Sequence, residues 1–552
     1  MTSPLPRLDG LTTDVPPALA AHFRAQGWWD AETLAERIDA LAKARPDDAA
    51  FIMADSRFSW ADYARTSDRV AWALTGLGFA RGDRVAVVLP DGPTVHAAFV
   101  GLEKAGLVIV GIGARAGDAE IAHLIRRTGA RALVTHTQQR DRTASDLRDA
   151  LAGREAPLEH LVELPDFAHD TEAPILIDGA AVATAPRATT PFGPDELFMI
   201  NSTSGTTGLP KCVMHTQNRW VYFHKLAADA GRFGDDEIFM GAVPAPFGFG
   251  LWTAHFSPAI LGAPTVLLPK FDAGAALDLI AREKVTVLCC VSTQFIMMLN
   301  EQAERPRDFS SLRSMFTGGE AVPYERAAEF ERVTGAAVLQ FYGSNETGAL
   351  SCTTAADSRE HRLRTAGRII PDMEVRLFDV ETGADVTAER STGQPGCRGP
   401  ATCLGYWDDA AANAKLFTRD GYMLMGDIVS IDADGYLSVI GRTSDFIIRG
   451  GKNISAPAVE EEVASHPAVA LCAAVPAPDP VFGERVCIYA ELRPGQSLEL
   501  ADLTAHLKTR GISREWYPEH LIVVDALPRS SGGKVAKGDL RDDAKARFGA
   551  ER

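Results

Sequence analysis

The 552-residue chain has no apolar run approaching the ~20 residues that a membrane-spanning helix needs. Its longest candidate, Ala105 to Ala114, is short and interrupted by glycine. The first residues, Met1-Thr2-Ser3-Pro4-Leu5-Pro6, have neither a basic start nor an apolar centre, which argues against a secretory signal. Gly549-Ala550-Glu551-Arg552 matches no targeting tripeptide. Cysteine is scarce: eight residues contain no C-x-x-C pair, so neither a disulfide framework nor a redox motif is expected, and a reducing cytoplasm is the simplest location. Positive charge is also in deficit. With 56 Lys+Arg against 73 Asp+Glu the net charge is −17, which repels nucleic acids and anionic membranes, so any anion must be met by a local concentration of donors.

What is present reads as a folded protein of more than one domain. The composition, 46% hydrophobic and 23% charged, is ordinary for a globular chain, and its length exceeds what one core usually supports. The first half alternates strand and helix patterns: a strand over Arg84–Leu89, a helix from Val95 to Lys104, an apolar run at 107–110, a helix from Ala119 to Arg127, and a strand at Ala132–Thr135. The alternation recurs with Thr265–Leu268, a helix over Ala273–Glu283, and Thr286–Val291. This spacing predicts an α/β fold of parallel sheets with covering helices. From about 370 to 440 short alternating runs separated by Gly and Asp turns predict a β-rich subdomain. The expected boundary falls after 442, dividing a large domain, 1–442, from a small mobile α+β domain, 443–552. The basic stretch from Lys534 to Arg547 would pass for a solvated tail on composition alone.

The densest chemistry lies in Ser202-Thr203-Ser204-Gly205-Thr206-Thr207-Gly208-Leu209-Pro210-Lys211, where five hydroxyls, two glycines and a lysine follow the apolar run 197–200. Such a loop offers O–H and backbone N–H donors to an anion, and Lys211 adds a mobile charge. It is not a Walker A loop, which requires G-x-x-x-x-G-K-[ST]. A polyphosphate cradle is the reading that suits it, against a merely polar surface loop.

Further blocks follow in order. Thr317-Gly318-Gly319-Glu320 precedes Gln340-Phe341-Tyr342-Gly343-Ser344-Asn345-Glu346, then Met425-Gly426-Asp427, then Gly441-Arg442-Thr443-Ser444, Gly450-Gly451-Lys452, and Pro528-Arg529-Ser530-Ser531-Gly532-Gly533-Lys534. With these residues the chain resembles the adenylate-forming superfamily, in its acyl- and aryl-CoA synthetase branch, over nearly its whole length. The resemblance implies nucleotide binding by Thr203, Ser204, Gly205, Thr206, Thr207, Gly208, Lys211, Gly318, Gly319, Glu320 and the 340–345 block. Tyr342 would pack on adenine, Glu346 would serve Mg²⁺, Asp427 would accept the ribose hydroxyls, and Arg442 would bind ribose or phosphate. Lys534 is the expected catalytic ammonium, assisted by Lys211 and Glu346, because charge built at the α-phosphate calls for a placed cation.

Two positions depart from the pattern. Asn345 stands where most relatives have threonine, so its N–H₂ is expected to replace a hydroxyl donor to the α-phosphate. Ser444 stands at the hinge, commonly Asp or Lys. Gly450, Gly451 and Lys452 would line a tunnel for the CoA arm. The acyl pocket is expected at Phe247, Gly248, Phe249 and Trp252 with Gly318 and Gly343, apolar and flat-walled, with Trp252 equally readable as core. Relatives that adenylate hydroxylated benzoates place a polar side chain near Gly248, and glycine offers none. ATP, Mg²⁺, CoA and a hydrophobic carboxylic acid are the implied partners. A separate carrier protein as acceptor stays open, as do a dimer and a non-catalytic nucleotide sensor on the same fold.

Overall fold

The computed structural model describes residues 15–139, 141–202, 210–319, 322–442, 446–449, 452–529 and 535–549. Arg84–Leu89 is a strand whose residues 85–89 are all buried, because helices cover both faces of the parallel sheet it joins. That sheet has eight strands in the order 180–181, 176–177, 160–164, 132–136, 84–89, 108–113, 199–202 and 212–215. Its centre, from 160–164 to 199–202, is parallel, and Cys212–His215 closes it antiparallel to Met199–Ser202.

A second sheet of nine strands runs 368–369, 348–352, 337–344, 314–318, 287–289, 239–241, 265–266, 49–52 and 57–59. It too is parallel through its middle. The helix Ala273–Glu283 that feeds it begins where the Asp272 side chain accepts from Ala275 N (2.9 Å), buries Leu277 and Ile280, and ends at left-handed Lys284. The expected β-rich segment is an antiparallel sheet of 374–378, 392–398, 427–431 and 437–442, with 423–424 attached, plus a helix at Ala410–Leu416 that the turn-rich sequence did not suggest.

The last sheet belongs to the C-terminal stretch, in the order 452–455, 446–449, 483–492 and 469–479, with 520–523 parallel to 483–492. It has its own apolar clusters, one around Ile447, Val459, Ile488 and Leu503, another around Val475, Tyr489, Leu540 and Ala544. The last two lie on the helix Lys537–Phe548, so this part of the basic stretch is a docked element and not a solvated tail. Contacts with the rest of the chain include polar ones: Tyr324 N donates to Glu461 (2.8 Å) and Ser455 Oγ to Ile440 O (2.5 Å). All eight cysteines are free thiols. No helix among the described residues is long and apolar enough to cross a membrane.

Candidate active site

The parallel strands Ser314–Gly318 and Ala337–Ser344 end side by side, with Gly318 paired to Phe341, at the C-terminal sheet edge where open α/β sheets receive ligands. Strand alternation turns Phe341 inward, 6% exposed, among Phe223, Phe316 and Trp252, and leaves Tyr342 half-buried on the other face. The Tyr342 hydroxyl donates to Asp427 Oδ2 (2.7 Å). Asp427 opens the strand Asp427–Ile431 and is paired through its backbone with Arg442. The residue expected under adenine and the residue expected at ribose, 85 positions apart, are thus in direct contact. Gln340 is committed elsewhere, its Nε2 donating to Arg362 O (2.7 Å).

Beyond Tyr342 the chain makes a tight turn. Ser344 Oγ accepts from the backbone N–H groups of Glu346 (3.2 Å) and Thr347 (3.1 Å), while Ser344 N donates to Thr347 Oγ1 (2.9 Å). Gly343 makes the turn possible, since a Cβ there would lie 1.7 Å from the Gly348 carbonyl oxygen. The turn presents Glu346, whose Oε1 accepts from the Tyr406 hydroxyl (2.7 Å). Burial, reinforced by this carboxylate, pushes the Tyr406 phenol far above its ordinary range. The Lys211 ammonium lies 4.7 Å from the centre of the Tyr406 ring, within cation–π range. Among the described residues no group of three or more His, Cys, Asp or Glu side chains could hold a metal. A lone carboxylate at Glu346 suits Mg²⁺ that takes its other ligands from phosphate and water.

The acyl side is built differently. Phe247, Gly248 and Phe249 are half-buried, flanked by buried Pro246 and Gly250. A one-turn helix over Gly248–Gly250 passes into a π-helical segment, Leu251–Phe256, a geometry frequent at functional sites. Trp252 is 1% exposed and meets Phe223, Phe249, Phe316 and Phe341 at centroid distances of 5.1–5.8 Å, which makes it core behind Phe249. Gly248 sits in a slot: a Cβ on it would stand 2.8 Å from Asn345 Oδ1 and 3.0 Å from Trp220 Cη2.

Asn345 does not stand alone. Its Nδ2 donates to Asn201 Oδ1 (2.7 Å), which also takes a hydrogen bond from His215 Nε2 (2.7 Å). Arg219 bonds His215 Nδ1 and donates to the carbonyls of Asn345 (2.9 Å) and Ala401 (2.9 Å). Arg219 is 1% exposed and has no ion-pair partner among the described residues, and burial pushes its guanidinium down to about 10. His215 is held neutral by burial and by Arg219. One hydrogen of the Asn345 carboxamide is therefore committed to the protein interior.

A second buried polar group lies under the acyl block. Asp91 Oδ1 accepts from Ala245 N (3.3 Å) and lies 3.7 Å from His96 Nε2; His96 Nδ1 meets His255 Nδ1 (3.0 Å), which the Tyr63 hydroxyl also approaches (3.3 Å). Burial, partly offset by the Ala245 and Gly92 N–H groups, raises the Asp91 carboxyl to about 7. Burial lowers His255 to about 3 and drives His96 well down, the latter also through His255.

Thus Lys211, Tyr342, Glu346 and Asp427 are drawn together at one edge, and Asn345 meets Gly248 of the expected acyl block. Thr203–Gly208, Glu320, Ser444, Gly450, Gly451 and Lys534 lie outside the described residues, and Arg442 and Lys452 are placed by their backbones. Sequence reasoning missed Asn201, His215, Arg219, Tyr406 and the Asp91–His255 group. Tyr406 lies in Leu404-Gly405-Tyr406-Trp407, where an aromatic beside glycine is a usable signal; Arg219 gives none, because an arginine in a helix reads as solvent-facing.

The chain is similar to known proteins along nearly its whole length. Residues 38–407 match the family described as AMP-binding enzyme, and residues 458–534 match the AMP-binding enzyme C-terminal domain. The chain is 30% identical over 544 residues to a medium-chain fatty-acid–CoA ligase of Escherichia coli, covering 96% of this chain and 93% of that one. It is 31% identical over 545 residues to a 2-hydroxy-7-methoxy-5-methyl-1-naphthoate–CoA ligase of Streptomyces carzinostaticus, covering 95% and 96%. Among solved structures, ATP-bound MatB from Rhodopseudomonas palustris superposes with a TM-score of 0.78 at 27% identity, covering 93% of this chain and 99% of that one.

Proposed function

Since the chain belongs to the AMP-binding enzyme family, we propose that it is an ATP-dependent acid–thiol ligase that activates a hydrophobic carboxylic acid, aromatic or alicyclic, and passes the acyl group to CoA. The observation that carries this reading is the Tyr342–Asp427 hydrogen bond (2.7 Å) beside the Glu346 turn, which joins two separate blocks, 340–346 and 425–427, at one face. Tyr342 stacks on adenine. Asp427, whose Oδ2 takes the Tyr342 hydroxyl, accepts the ribose hydroxyls. Lys211 and the 203–208 loop hold the β- and γ-phosphates.

In the first step a carboxylate oxygen bonds to the α-phosphorus as the bond to pyrophosphate breaks, and Lys534 stabilises the charge that develops on the phosphoryl oxygens. Glu346 would hold Mg²⁺, which supplies charge neutralisation at the phosphates when bound. In the second step the CoA sulfur bonds to the acyl carbon and AMP leaves with the electron pair. The small domain, residues 443–552, turns about Ser444 between the steps, withdrawing Lys534 and bringing Gly450, Gly451 and Lys452 to the thiol path. Among the described residues the polar contacts with the rest of the chain include those of Glu461 and Ser455 and that of Arg493 with Glu329 (4.0 Å), which a swinging part can release. The reading places the enzyme in the cytoplasm.

The test is a panel of aromatic, alicyclic and straight-chain acids, each assayed for acid-dependent ATP–pyrophosphate exchange and for CoA-dependent AMP release. Both signals with a hydrophobic acid are expected. Exchange without discharge onto CoA would replace CoA by a carrier protein, and ATP binding with no exchange would make the chain a nucleotide sensor.

A further inference from the structure

The buried chain behind Asn345 has a direction. A guanidinium only donates hydrogen bonds, so Arg219 requires His215 Nδ1 to accept. His215 is then protonated on Nε2 and donates to Asn201, whose Oδ1 must face it. Asn201 is pinned the same way at its other end, because its Nδ2 donates to the Pro246 carbonyl (2.9 Å). An oxygen at Asn201 Oδ1 accepts from the Asn345 amide nitrogen, and this fixes which end of the Asn345 carboxamide is oxygen. Among the described residues the Asn345 oxygen takes one hydrogen bond, a long one of 3.4 Å from Asn201 Nδ2. Oδ1 lies instead 2.8 Å from where a Gly248 side chain would begin, with the Trp220 ring edge across the slot. Four linked polarities thus place an acceptor where the acyl block itself has none, and Arg219 sets the orientation of all of them.

We propose that Asn345 is a specificity-determining residue, whose carboxamide oxygen accepts a hydrogen bond from a hydroxyl or amino group on the carbon next to the one bearing the acid's carboxyl group, the ortho position of a benzoate. The inference rests on the acid-activating reading above and narrows it to a substrate class. Two facts converge on it. Asn345 is half-buried and so borders open space. It shares a turn with Glu346, on the phosphate side, and touches Gly248, on the acyl side. An acceptor so placed repels a bare carboxylate oxygen and rewards a neighbouring donor, so it also sets which way the ring faces.

The experiment compares kcat/KM for ATP–pyrophosphate exchange with benzoate, 2-fluorobenzoate, 2-hydroxybenzoate and 2-aminobenzoate. A donor-bearing acid is expected to exceed 2-fluorobenzoate by about tenfold, the worth of one hydrogen bond. In Asn345→Thr that ratio should fall to within about threefold of unity, whatever the absolute rate. The same fall is expected in Arg219→Met and not in Arg219→Lys, which keeps a donor to His215. Equal use of 2-fluoro and 2-hydroxy acids by the wild type overturns the proposal and leaves the ligase reading standing; so does a ratio that survives in Asn345→Thr. Absence of exchange with every acid, including alicyclic and straight-chain ones, overturns the ligase reading and this inference with it.

Discussion

The two halves of the candidate site are made in opposite ways. On the nucleotide side half-buried groups are bonded directly to buried ones, Tyr342 to Asp427 and Glu346 to Tyr406. On the acyl side two points are backed by buried polar chains, half-buried Asn345 by Asn201, His215 and Arg219, and buried Ala245 by Asp91, His96 and His255. Phosphate chemistry is the same for every acid, so its donors can sit on short segments of fixed spacing. The acid differs from enzyme to enzyme, and its pocket is fixed by contacts among residues that have no sequence relation. Buried polar chains specify one geometry strongly, and they titrate abnormally, so the two halves should respond differently to mutation and to pH.

The largest effect should fall on the nucleotide half. Lys534→Ala is expected to reduce acid-dependent exchange by about 10²–10³-fold, as loss of one placed donor to a developing oxyanion does. The ranking of acids should not change. A changed ranking would mean that Lys534 also reads the acid and that the two halves are not separable.

The acyl half should announce itself in the pH dependence of stability. In the folded protein the Asp91 carboxyl titrates at about 7, against 3.8 ordinarily. Between those values the folded chain holds a proton that the unfolded chain has released, so Asp91 lowers stability as pH rises from about 4 to about 7, with no further loss above. The neutral buried histidines His96 and His255 act in the opposite sense, favouring folding as pH rises towards 6.5. The informative quantity is therefore the difference between Asp91→Asn and wild type. Asparagine can still accept from Ala245 N, so the variant should match wild type near pH 4 and exceed it by on the order of 2–4 kcal/mol at pH 8 in denaturant unfolding. A constant difference across that range would place the carboxyl in contact with water.

How far the sequence foretold all this divides along the same line. The strand Arg84–Leu89 and the helix Ala273–Glu283 appear with the boundaries that their apolar patterns predicted, because local periodicity and the Asp272 cap decide them. Of the motif residues of the nucleotide half, Lys211, Tyr342, Glu346 and Asp427 fall together, with local turn chemistry such as that of Ser344 for Glu346 helping to place them. Arg219 could not be foreseen. Its partners lie 126 positions away at Asn345 and 182 away at Ala401, and its burial contradicts its side-chain type. The π-helical turn at 251–256 was equally hidden, since Leu-Trp-Thr-Ala-His-Phe has no pattern that separates it from an α-helix. The docking of Lys537–Phe548 turns on only two buried residues, Leu540 and Ala544, too few to register against its charge.

A smaller effect tests whether the slot at Gly248 belongs to the acid alone. Gly248→Ala places a methyl group 2.8 Å from Asn345 Oδ1 and 3.0 Å from Trp220 Cη2, closer than either tolerates. The KM for the acid should rise about tenfold while the KM for ATP stays within about twofold. The double variant Gly248→Ala/Asn345→Thr should recover part of that loss, because threonine vacates the space the methyl needs. No coupling between the two changes would mean that Asn345 moves aside without cost.

The smallest effect concerns Tyr406, a buried side chain on which the nucleotide half relies. Its hydroxyl donates to Glu346 Oε1 and its ring faces Lys211, so it touches both charges expected to meet the phosphates. Tyr406→Phe keeps the ring for Lys211 and deletes only the donor to Glu346. A carboxylate that loses a donor becomes a stronger ligand but a less well-placed one, and for an ion bound mainly through phosphate oxygens and water the two changes largely offset. The KM for MgATP should therefore rise only about three- to fivefold, with the acid preference of the wild type intact. A comparable rise in the KM for the acid would carry the influence of Tyr406 through the Ser344–Thr347 turn to Asn345. The two halves, distinct in how they are built, would then be mechanically one.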